Sequence, residues 1–166
     1  MKLTTERLII TEFEKDMAEC VHLNSLDEDT RRFVPDEVFE TVEEALETIE
    51  YLMTRYEKMK SPLVYPMILN TGENIGYVQM VKLSDGWEIG YHVAKPFTSK
   101  GYATESVKAF LPVMMESLGL KEVHGVCDAD NIASRRVMEK VGFKKTFEGI
   151  GRYHGKNIKI CHYMFR

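Results

Sequence analysis

Two short segments carry residue types that suit chemistry. The first, Lys95-Pro96-Phe97-Thr98-Ser99-Lys100-Gly101-Tyr102-Ala103-Thr104-Glu105, leaves a strand-like run, turns and enters a helix-like run. The first turn of a helix presents N–H groups without partners and about half a positive charge, so phosphates bind there. Gly101 lets the backbone approach closely, Lys100 adds a full charge and Ala103 keeps the wall low. The spacing is neither GxGxxG nor GxxxxGK[ST], which sets aside the dinucleotide and P-loop readings. On residue types alone the segment also reads as an ordinary helix start with a glycine in its turn. The second segment runs from Asp128 to Phe143, DADNIASRRVMEKVGF, where Asp130 or Asn131 suits a helix cap.

Between Trp87 and Lys95, alternation puts Trp87, Ile89, Tyr91 and Val93 on one face and Glu88, Gly90 and His92 on the other. Glu88 is the candidate general base, set against the plainer reading of an exposed strand carboxylate. His92 is a second candidate, although a lone strand histidine is more often only hydrogen-bonded. Cys127 reads as a small buried hydrophobe rather than a nucleophile. Cys20, Cys127 and Cys161 form no CxxC pair, and the five histidines show no ligand spacing, so reduced thiols and no metal are expected.

The elements that must position these groups follow from periodicity. Arg7–Glu12 reads as a strand and Glu14–Leu26 as a short amphipathic helix, while Asp27–Val38 is polar, broken by Pro35, and reads as a loop or broken helix. Thr41 and Glu44 form a capping box before a helix whose apolar stripe runs from Val42 to Met59. Leu63–Asn70, Ile75–Leu83 and Trp87–Lys95 are strands joined by short turns, hence antiparallel. Gly101–Leu118 is a helix that Pro112 should kink or shorten, with Gly119 as its stop. Glu122–Cys127 is a strand that the helical crossover makes parallel to Trp87–Lys95. A helix at Ile132–Val141 ends at Gly142, and strands at Phe143–Gly149 and Asn157–Phe165 flank a tip at Arg152–Lys156. The order β-α-α-β-β-β-α-β-α-β-β is an α/β layered domain.

The 166 residues suit one domain, residues 1–166, and 44% apolar residues can fill its core. The net charge of −4 implies no basic face for nucleic acid and leans toward a cationic substrate. The amino terminus lacks the apolar run of a signal peptide, and Ser61–Gly72, the longest uncharged stretch, is too short to span a bilayer. No membrane association and a cytoplasmic location are expected.

WEIGYHVAKPFTSKGYATES, followed further along by DNIASRRVMEKVGF, resembles the GCN5-related N-acetyltransferases (GNAT superfamily). The opening LTTERLIITEF, with the acidic second helix, is similar to the subgroup containing the RimJ and RimL ribosomal-protein N-terminal acetyltransferases. The resemblance implies a mixed sheet with antiparallel N-terminal strands, a splayed parallel pair at its centre and helices on both faces. It implies an acetyl-CoA-dependent transferase whose cosubstrate lays its pantetheine arm in the splayed gap. The family's pyrophosphate loop falls on Thr98–Ala103, with backbone N–H groups of Lys100, Gly101, Tyr102, Ala103 and Thr104 holding the phosphates. Tyr91, His92 and Val93 fall on a bulged strand that bonds pantetheine, the N–H of Val93 facing the thioester carbonyl. Asn131 matches a position that bonds the cofactor arm, and Ser134 one near the sulfur in the RimL-like group; a weak acid such as Ser134, or water, would protonate the leaving thiolate.

Thr98 and Ser99 replace the Gln or Arg and the Gly frequent in the loop, and Met138 stands where many relatives have an acid Tyr. The implied acceptor is a primary amine, foremost a peptide or protein N-terminal α-amine. The alternatives are a small amine such as a polyamine or antibiotic, and a non-catalytic acyl-CoA-binding module. Arg31, Arg32 and Phe33 are placed over the acceptor pocket, against the plainer reading of a charged loop. A homodimer is common among relatives.

Overall fold

The computed structural model describes Met1–Arg166. One sheet holds eight strands: β1 (Leu3–Thr4), β2 (Leu8–Ile10), β3 (Leu63–Leu69), β4 (Asn74–Lys82), β5 (Trp87–Val93), β6 (Val123–Asp128), β7 (Lys144–Tyr153) and β8 (Lys156–Phe165). Their spatial order is β1-β2-β3-β4-β5-β6-β8-β7. All neighbours are antiparallel except β5 and β6, whose ladder is a single parallel pair, Glu88 with His124. One paired position cannot hold two strands together along their length, so β5 and β6 part beyond it.

Alternation sends successive side chains of each strand into different layers. Leu63, Tyr65 and Met67 of β3, with Val78 and Met80 of β4, face helix α4 (Tyr102–Leu118), which contributes Val107, Phe110, Leu111 and Met114 to the larger core. Helix α5 (Ile132–Val141) adds Met138 to the same layer. Val64 and Tyr77 face the other way, onto α1 (Ala18–Asn24) and α3 (Val42–Tyr56), where Ala18, Ala45, Ile49 and Leu52 pack. Burying each large apolar side chain contributes roughly 1.5–3 kcal/mol, so the two layers fix the sheet between them.

Thr41 caps α3 by accepting from the Glu44 N–H at 3.1 Å, and Glu44 reaches back to the N–H of Glu40 rather than to that of Thr41. Pro112 neither shortens nor breaks α4: it and Lys108, whose carbonyl its ring leaves unbonded, are exposed to water. The polar Asp27–Val38 segment holds a short helix, α2 (Glu28–Phe33), because the Asp27 carboxylate accepts from the Thr30 N–H, and then a 3-10 turn at Pro35–Glu37. The C-terminal strands are longer than expected. Their turn needs only His154 and Gly155, both at positive φ, the geometry that matches the twist of a tight hairpin.

Candidate active site

Where β5 and β6 part, a cleft of about 820 Å³ passes through the sheet. One wall is the loop before α4. Ser99 and Gly101 adopt φ of +61° and +84°, and Gly101 occupies the N-cap of α4 with no side chain capping it. The first backbone bond of the helix is Glu105 N–H to the Gly101 carbonyl at 3.0 Å, and the amides of residues 99–104 have no partner in the chain. These donors, with Gly101 to Thr104 lining the cleft, fit a diphosphate. Lys100 itself does not line the cleft; its carbonyl accepts from Arg7 Nη1 at 2.9 Å and its Nζ lies 5.8 Å from the Phe97 ring.

Arg7, which the sequence pattern did not single out, holds this loop. Its N–H and Nε donate to Glu105 at 2.9 and 2.7 Å, Nη2 lies 2.6 Å from the same carboxylate, and its guanidinium stacks 4.4 Å from the Tyr102 ring centre. The residues lie 98 apart in sequence, so no local pattern joins them.

The second wall is β5. Its register with β4 is continuous, so it carries no bulge; the irregularity lies in β4 opposite Met67/Ile68 of β3, at Asn74–Gly76. The Ala94 N–H donates to the Ile75 carbonyl at 2.8 Å, so antiparallel alternation turns the amides of Tyr91 and Val93 away from β4, toward the gap. His92 instead turns its backbone toward β4. Its ring goes to the opposite layer, 2.7 Å from Thr30 Oγ1 and stacked on Tyr77, and burial lowers its pKa.

The third wall is α5. Asn131 is its cap: Oδ1 accepts from the Ser134 N–H at 3.1 Å. Tyr91 Oη donates to the Ser134 carbonyl at 2.9 Å and lies 3.0 Å from Ser134 Oγ, so two hydroxyls sit together in the cleft. Met138 is buried against Gly125, where a Cβ would fall 2.4 Å from its methyl. Beside them burial pushes the Cys127 thiol up to about 12, which leaves it no nucleophile at neutral pH.

Glu88 faces the other side of the sheet, as alternation predicts. Burial, and after it the charge of Glu37, push its carboxyl up to about 7. Glu37, on the 3-10 turn and unanticipated in a polar loop, lines the same cleft; burial likewise raises it to about 7, and Gln79 Nε2 donates to it at 3.0 Å. The β7–β8 turn closes over this side through His154 Nδ1, 2.7 Å from Asp36 Oδ2. Of the three early residues expected near an acceptor, Phe33 lines the cleft, whereas Arg31 pairs with Glu40 and Arg32 with Asp130.

Known proteins share this architecture. Residues 7–144 match the family described as acetyltransferase (GNAT) domain. The chain is 30% identical over 148 residues to an uncharacterized N-acetyltransferase of Bacillus subtilis (strain 168), YnaD, covering 87% of this chain and 84% of that protein. A second from the same organism, YoaA, is 27% identical over 155 residues, 92% of this chain and 86% of that protein. Among solved structures, a GNAT-family acetyltransferase from Bacillus anthracis superposes with a TM-score of 0.85 at 26% identity, covering 99% of this chain and 98% of that one. RimL, a ribosomal L7/L12 alpha-N-protein acetyltransferase in complex with coenzyme A, gives 0.85 at 15% identity over 99% and 97% of the two chains, a likeness of fold.

Proposed function

Since the chain belongs to the GNAT acetyltransferase family and is an acetyl-CoA-dependent acyltransferase, we propose that it moves the acetyl group to a primary amine by direct attack, with Glu88 as proton acceptor. The observation that carries this reading is one through-going cleft with free amides at residues 99–104 on one side of the sheet and the Glu88 carboxyl on the other. Acetyl-CoA supplies an electrophilic thioester carbonyl and a thiol leaving group. The amides of Ser99 to Thr104 hold its diphosphate, and Asn131 borders its arm. The Val93 N–H, aimed into the gap, receives the charge that grows on the carbonyl oxygen.

Glu88 removes a proton from the acceptor ammonium, because a group with a pKa near 7 is both a usable base and half ionised at neutral pH. The amine nitrogen bonds to the acetyl carbon, the carbon–sulfur bond breaks, and a second nitrogen proton goes to the departing sulfur. Ser134, paired with Tyr91 in the cleft, takes that role, which Met138 leaves open. Among primary amines we favour a peptide N-terminal α-amine: its pKa near 8 asks less of a base than a lysine-type amine near 10.4. The RimL likeness of fold points the same way.

Thiol release from acetyl-CoA over a panel of peptides and small amines tests this. Turnover is expected, with kcat rising with pH through about 7. Glu88→Gln should lower kcat roughly a hundredfold and remove that limb. Coenzyme A binding without turnover on any amine would favour a non-catalytic binding module instead.

A further inference from the structure

The side of the cleft away from α4 and α5 has an unusual charge balance. Glu37 and Glu88 both face it, and neither forms an ion pair. Glu37 is held in place by an uncharged group, Gln79, whose stem lies against Gly90 of β5, and its turn is pinned to the β7–β8 hairpin by Asp36 and His154. Arg152 lines the rim but is exposed and bonds neither carboxylate. His154, whose charge when protonated acts on Glu37, is already paired with Asp36. Two half-buried carboxylates with no ion-pair partner of their own are costly to ionise, and a positively charged guest stabilises their charged form.

A simple monoamine answers only half of that demand. It enters with one positive charge, passes a proton to Glu88, and leaves as a neutral amide. Throughout the transfer Glu37 would remain without a cationic partner of its own. An acceptor with a second cationic group keeps that group charged before, during and after the reaction, and so can satisfy Glu37 at every stage.

Resting on the acetyltransferase reading above, we propose that Glu37 is the specificity-determining residue of the acceptor chamber, and that the acceptor is an amine bearing a second cationic group a short spacer away. The hydrogen bond from Gln79 orients the carboxylate, and the Asp36–His154 contact brings the turn over the chamber.

The test compares kcat/KM for 1,3-diaminopropane and n-propylamine, and in a second arm for Lys-Ala and Ala-Ala amides, with the wild-type protein. A preference of about tenfold or more for the doubly charged member of either pair is expected, well beyond the factor of two that a second reactive nitrogen provides. The arm that shows it tells whether a free diamine or a basic amino terminus is the natural source. Glu37→Gln should reduce the preference about tenfold, mainly through KM for the doubly charged acceptor, while Glu37→Asp retains part of it. Coenzyme A binding by calorimetry reports that each variant is folded. Equal use of single and double cations by wild type in both arms, or an undiminished preference in a folded Glu37→Gln protein, overturns the proposal and leaves the acetyltransferase reading standing. Coenzyme A binding with no acetyl transfer to any amine removes both.

Discussion

Arg7 ties three parts of the phosphate-side loop together: the Glu105 carboxylate, the Lys100 carbonyl and the Tyr102 ring. Glu105 would otherwise place a negative charge in the first turn of α4, close to where a diphosphate is to be held. With the arginine engaged, that charge is spent locally; Thr5 Oγ1 donates to the same carboxylate at 2.7 Å. Removing the guanidinium therefore loosens the loop and frees an anion beside it. Arg7→Gln should raise the coenzyme A dissociation constant roughly tenfold, with a smaller effect on kcat, as read by calorimetry and steady-state kinetics. Arg7→Lys, which cannot fork to two acceptors, should recover only part of the loss. At this scale Glu88, Ser134 and the loop glycine were legible from residue type, alternation and family resemblance. Arg7 and Glu37 were not, because their partners lie far along the chain.

Among the elements, the hairpin of β4 and β5 sets the edge of the gap. Gly76 sits at φ +147°, and a Cβ there would fall 2.0 Å from the His92 carbonyl oxygen, a backbone atom that cannot rotate away. The irregular register at Asn74–Gly76 thus lets β4 follow β5 to the point where Val93 turns its amide into the cleft. Gly76→Ala should destabilise the fold by about 3 kcal/mol, read by urea unfolding, and any folded fraction should bind coenzyme A more weakly. Periodicity indicated these hairpins and the long α3 helix correctly. The family resemblance implied a bulge in β5, whereas the irregularity lies in β4, since a bulge depends on how two strands meet.

For the molecule as a whole, the cleft is a cost. Glu37 and Glu88 both titrate near 7 in the folded chain, against about 4.5 for an ordinary glutamate, so the folded state holds protons more tightly than the unfolded one. Their contribution to stability is complete below about pH 4.5 and is lost as the pH rises through about 7. At pH 8, Glu88→Gln should therefore be more stable than wild type by about 1–3 kcal/mol, and at pH 4 the two should converge, as measured by chemical denaturation. The primary sequence by itself determined the layers and the order of elements, because these follow from local periodicity, capping and turn chemistry, and it pointed to the family through the resemblance of its motifs. Only the tertiary structure decided what faces the cleft. The Asp36–His154 contact spans 118 residues, and the burial that tunes Glu37 and Glu88 exists only once the early turn and the last hairpin meet across the sheet.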